Sequence, residues 1–131
     1  MSFTHKITRR VETAGESIEQ TKVTTVDAED NRDVSVPDET TDFLVNIAID
    51  VSLLKSLYID SDQDVTIESN DGTTPDDTLT IKKDSPLVWD ADDDQDNPFP
   101  SAVDVTKLHI TNVSNSAVAN VRIRVGQDST P

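Results

Sequence analysis

The chain has 131 residues, a formal net charge of −15 and no cysteine. That length suits one domain able to bury about two-thirds of its unfolded surface, so no covalent staple is required. The absence of thiols excludes a disulfide framework, thiolate metal sites and thiol catalysis together. The opening residues MSFTHKITRR are polar and basic where a secretory signal needs an apolar run. The longest apolar stretch, residues 43–49, is interrupted by Asn46 and falls far short of the roughly 20 residues that span a bilayer. A soluble protein is expected.

The charge is unevenly spread. Residues 1–25 carry four basic and three acidic groups, residues 26–104 four basic and 22 acidic, and residues 105–131 three basic and one acidic. Such a surface repels phosphate backbones and anionic membranes, so neither nucleic acid nor membrane is expected as a partner. The basic groups cluster toward the two ends as Arg9, Arg10, Arg122 and Arg124. If the terminal strands pair, one side of the molecule becomes neutral or basic and the other very acidic, which suits a module that docks by one side. Simple solubilisation by surface acids explains the same composition, and both readings stand.

In chain order, a period of two recurs throughout and no long helical period appears. Phe3, His5, Ile7, Arg9 and Val11 alternate with Thr4, Lys6, Thr8 and Arg10 as a first strand. Residues 17–26 follow the turn-forming Ala14-Gly15 as a second. Residues 27–41 read as a polar loop, at most an edge strand around Val34 to Val36 before Pro37. Phe43, Val45, Ile47 and Ile49 alternate most cleanly and are expected to form a central strand. Asp50 is suited to cap a short helical turn. Strands are then expected around Leu57 to Ile59 and Val65 to Ile67, with Asn70-Asp71-Gly72 as a turn and Leu79 to Ile81 as the return. Pro86 to Trp89, Val103 to Val113 and Val121 to Val125 complete the set. About eight or nine short strands at this spacing predict an all-β, antiparallel, jelly-roll-like β-sandwich. It is expected to be a single domain over residues 1–131, with 1–14 an extended arm or a first strand.

The segment WDADDDQDNPFPS, residues 89–101, holds five aspartates. Counted from Asp90, the residues Asp90, Asp92, Asp94 and Asp96 occupy alternate positions as in a calcium loop. Gln95 and Ser101 stand where an EF-hand needs Gly and Glu, so that geometry fails. A calcium loop of another kind is the minority reading. The favoured one is a solvated loop closed by Pro98 and Pro100, with Phe99 on the core; no cofactor or resident metal is expected. No catalytic residue is assigned: acids this numerous pair by chance, His5 and His109 lie in alternating strands, and three glycines cannot build a phosphate cradle. Trp89 and Tyr58 are the best candidates for stacking on a sugar, but core packing is the expected role of Trp89.

Two stretches, SLYIDSDQDVTIESNDGTTPDDTLTIKKDSPLVW and FPSAVDVTKLHITNVSNSAVANVRIRVGQDSTP, give residues 42–131 a pattern similar to jelly-roll cement or decoration proteins of tailed bacteriophages. The resemblance implies a non-enzymatic protein on the capsid exterior of a virion, made in the host cytoplasm. It implies binding to the major capsid protein, bridging of neighbouring subunits, and self-association as a dimer or trimer. The expected partner-binding residues are Phe3, His5, Ile7, Arg9, Arg10, Arg122 and Arg124, the first five on an arm that adds a strand to a neighbouring sheet. The alternative is a β-sandwich carbohydrate-binding module or a receptor-binding accessory protein.

Overall fold

The computed structural model describes residues 2–92 and 95–128. Ten strands run in order: β1 (Phe3–Thr13), β2 (Glu16–Val26), β3 (Ala28–Val36), β4 (Thr40–Ile49), β5 (Leu54–Ser61), β6 (Val65–Ser69), β7 (Thr78–Ile81), β8 (Leu87–Asp90), β9 (Val105–Asn112) and β10 (Ala119–Gln127). Between β4 and β5, Asp50 caps a single 3₁₀ turn by accepting from the Ser52 amide at 3.1 Å, as its position suggested. The last eight strands form two antiparallel sheets ordered β3-β10-β5-β8 and β4-β9-β6-β7. Apart from the β6–β7 hairpin, consecutive strands from β3 onward alternate between these sheets, the order of a jelly roll.

Two expectations about the strands need correcting. The polar stretch 27–41 holds the nine-residue strand β3, which raises the strand count from eight or nine to ten among the described residues. Its apolar residues are sparse because β3 buries only Val36 fully; it is held at the sheet edge by backbone pairing with β10. The clean alternation of β4 suggests a central strand, yet β4 is also at an edge. Alternation reports that one face is buried, and an edge strand over a core buries one face as fully as a central one.

The inner faces of the two sheets meet in one continuous apolar core. Leu57, Ile59, Trp89, Val121, Ile123 and Val125 come from the first sheet, opposite Val45, Ile47, Ile67, Ile81, Leu108 and Ile110 from the second. Each such side chain contributes about 1.5–3 kcal/mol by leaving water. The crossover from β8 to β9, residues 91–104, lays Phe99 into this core at 1% exposure.

Among the buried polar side chains of the described residues, one joins two turns. Asn112, at the end of β9, is completely buried and donates from Nδ2 to the carbonyls of Val36 (3.1 Å), Pro37 (3.3 Å) and Ala117 (3.0 Å), while Oδ1 accepts from the Ser114 amide at 3.1 Å. It thereby ties the β3–β4 and β9–β10 turns together. Removing it leaves several buried carbonyls without donors, so Asn112→Ala is expected to cost about 2–4 kcal/mol. Urea unfolding should show a lower midpoint at unchanged slope.

Candidate functional site

β1 and β2 pair with each other along their whole length, from Phe3↔Val26 to Thr13↔Glu16, and form a two-stranded sheet of their own. The turn between them is Ala14-Gly15, and Gly15 adopts φ 92°, a left-handed conformation that glycine takes without steric cost. The first and last strands of the chain are therefore not neighbours in one sheet, contrary to the pairing considered from the sequence. Phe3–Thr13 is the first strand of the chain, as one of the two readings had it, but it belongs to neither four-stranded sheet. It is half of a hairpin.

One face of this hairpin carries Phe3, His5, Ile7, Arg9 and Val11 from β1, with Val26, Thr24, Lys22, Gln20 and Ile18 opposite them on β2. Near the base that face rests on the outer surface of the β3-β10-β5-β8 sheet. His5 Nε2 donates to Glu29 Oε2 at 2.6 Å, and a neutral ring then accepts the Ser56 hydroxyl proton at Nδ1, also at 2.6 Å. The imidazole lies so close over Gly126 that a Cβ there would collide with it. Lys22 Nζ reaches Asp90 Oδ1 at 2.5 Å and Asp92 Oδ2 at 3.3 Å. Farther along, Arg9 passes beside β7 and β8 near Thr78, Trp89 and Pro98.

Beyond that edge nothing in the described chain lies beneath the hairpin. Phe3, His5 and Ile7 are partly covered, whereas every residue from Thr8 to Thr21 is exposed. Val11 and Ile18, direct cross-strand partners on the face that docks nearer the base, are 60% and 59% exposed. The overhanging tip thus presents an apolar pair with no cover from its own domain.

The remaining sequence candidates fall into place differently. Arg10 pairs with Glu12 and donates to Ser17 on the opposite hairpin face. Arg122 grips Asp60 through Nε at 2.9 Å and Nη2 at 2.5 Å, and Arg124 holds Asp33 at 2.8 Å. The arginines of β10 therefore complete ion pairs within the first sheet instead of forming an unpaired basic face with β1. Arg122 holds the Asp60 carboxyl below the usual aspartate range, as does Arg124 for Asp33.

The acidic segment also needs a correction. Asp90 is the last residue of β8 and is 1% exposed, bound to Lys22, so it is not part of a solvated loop. Asp92 is exposed and shares the same ammonium, Asp96 is exposed, and Asp94 lies outside the described residues. Among the described residues no three His or acidic side chains converge as ligands would. Phe99 and Trp89 are buried as expected, and the Trp89 Nε1–H donates to the Gln95 carbonyl at 3.1 Å.

Sequence reasoning missed the work done by the other acids. Asp30 accepts from the Ala48 amide (2.8 Å), Asp62 from Asn120 (2.8 Å), Asp64 from Lys83 (2.8 Å) and Asp104 from Val51 (3.1 Å). Buried Asp77 takes both the amide and the hydroxyl of Ser101, fastening the 91–104 crossover to the β6–β7 loop. Their positions give a polarity that follows the strand axis. At one end, residues 27, 50–53, 70–77, 91–104 and 128 hold nine described aspartates and no Lys or Arg; at the other, residues 37–39, 62–64, 82–86 and 113–118 hold five acids and two lysines. Searches against family models, curated proteins and solved structures find no match.

On the outer face of the second sheet, Asp42 sits in a left-handed conformation (φ 57°) where the β4–β9 register breaks. Its Oδ1 is sealed from solvent with no hydrogen-bond partner. Burial first, and the Asp42 charge second, push the Glu68 carboxyl above its ordinary value. A carboxyl whose pKa is raised by folding favours the native state below its unfolded value, and that benefit is lost as pH rises through the folded value. Glu68→Gln should therefore flatten the decline in stability across that window, as read from urea midpoints between pH 4 and 7. An unchanged decline would show that Glu68 is not its source.

Proposed function

We propose that the protein is a non-enzymatic virion structural protein, a cement or decoration protein on the exterior of a tailed-phage capsid, which bridges neighbouring major capsid protein subunits and self-associates as a dimer or trimer. The observation that carries this reading is the β1–β2 hairpin, whose tip leaves its own domain with Val11 and Ile18 uncovered. An arm of this kind suits a protein whose work is contact with other subunits, and small apolar contacts gain strength when repeated over a lattice. The pattern of residues 42–131 and the jelly-roll strand order support the same reading. The aspartate-rich end is then the one turned to water.

A sugar-binding role draws less support. The Trp89 ring is 6% exposed with its N–H engaged, and the Tyr58 hydroxyl donates to Asp60 at 2.7 Å. Trp89 therefore offers no free face to stack on a sugar ring, and Tyr58 is half-buried.

The test is co-sedimentation of purified protein with capsids of the source virus, alongside light-scattering mass. The wild type should pellet with capsids and run as a dimer or trimer. Val11→Asp with Ile18→Asp should abolish both while changing stability by no more than about 0.5 kcal/mol, since both sites are exposed. Capsid binding that survives the double substitution would remove the hairpin from the mechanism, and absence of any capsid binding by the wild type would overturn the proposal.

A further inference from the structure

The hairpin joins the sandwich through one connecting residue, Asp27, between the end of β2 and the start of β3. Close to that pivot it is well seated, with Val26 fully buried. Farther along, packing gives way to space. A cleft of about 510 Å³ runs between the hairpin, at His5 to Thr8, and the sheet below, at Asn31, Tyr58 and Val88. Dispersion contacts fall away across a gap of this kind. What spans the interface there is polar: His5 with Glu29 and Ser56, and Lys22 with Asp90 and Asp92.

The second contact is the stronger constraint. The Asp90 side chain is 2% exposed, while Lys22 is 35% exposed. A buried carboxylate that loses its cation must be rehydrated or held at a cost, so Asp90 retains the hairpin through Lys22. We infer that the β1–β2 hairpin is a latched arm: a separately moving unit that pivots at Asp27 and is held on the domain by Lys22 on Asp90 and His5 on Glu29 and Ser56. Released, it would bare Ile7, Val88 and the Asp90 carboxylate together. Elements held by few apolar contacts open at lower free energy than the core beneath them. The latch is independent of what the tip engages.

The chain has no cysteine, so spin labels can be placed uniquely through Glu19→Cys near the exposed tip and Lys82→Cys at the far end of the sandwich. Pulsed dipolar spectroscopy of the full chain should give one narrow distance. Adding Lys22→Met should raise a second, distant population by roughly tenfold or more, as expected when a buried charge loses its partner. Lys22→Arg, which keeps the cation, should restore the narrow distribution. A Lys22→Met protein that is folded by circular dichroism and shows an unchanged distribution would overturn the latch, and so would a broad distribution before any substitution. If Lys22→Met does not fold, Glu29→Ala, which removes the acceptor for His5 Nε2, is read in the same way: an added distant population supports the latch and an unchanged one overturns it.

Discussion

The structure depends on one dry interface, the space between two four-stranded sheets. The strands that cover it, β3 apart, place an apolar side chain at nearly each second position, and every polar group that enters must find a partner inside. Leu57, Ile59, Ile67, Leu108, Ile110 and Ile123 satisfy the first condition at 1% exposure or less. Asn112 satisfies the second by serving three carbonyls and one amide. Because the two sheets close over one another, the acidic residues are displaced to strand ends, loops and outer faces.

There the aspartates do structural work. Loop amides left without strand partners need acceptors, and carboxylates supply strong ones. Asp62, Asp64, Asp77 and Asp104 each fasten one loop to another part of the chain. What reads as a surplus of negative charge is in part a set of backbone caps. Their concentration at one end also gives the molecule a direction, which composition alone could not place. In the role proposed, the projecting hairpin meets other surfaces while the acidic end stays hydrated.

The fold was largely legible because burial of one strand face leaves a period of two in the sequence, and nearly every strand carried it. β3 escaped because Glu29, Asp30, Asn31, Arg32 and Asp33 show no apolar alternation; its place is fixed by backbone pairing to β10, which leaves no mark on composition. The edge position of β4 was invisible for the complementary reason, since inward alternation says nothing about lateral neighbours. The site was only partly readable. Alternation in residues 3–11 marks the strand β1, but its partnership with residues 16–26 requires the register of a hairpin. The role of Lys22 could not be seen, because its partner Asp90 lies 68 residues away. The Arg122 and Arg124 ion pairs were hidden in the same way by their distance in sequence from Asp60 and Asp33.

The hairpin is where fold and proposed function meet, since it rests on the sheet at its base and overhangs at its tip. The most direct check is a map of proton–proton nuclear Overhauser effects in solution. The account predicts contacts from the His5 ring to the Gly126 α protons, together with none from the Val11 and Ile18 methyls to any residue of β3 through β10. Missing contacts at His5, or Val11 and Ile18 methyls seated on the sandwich, would contradict it.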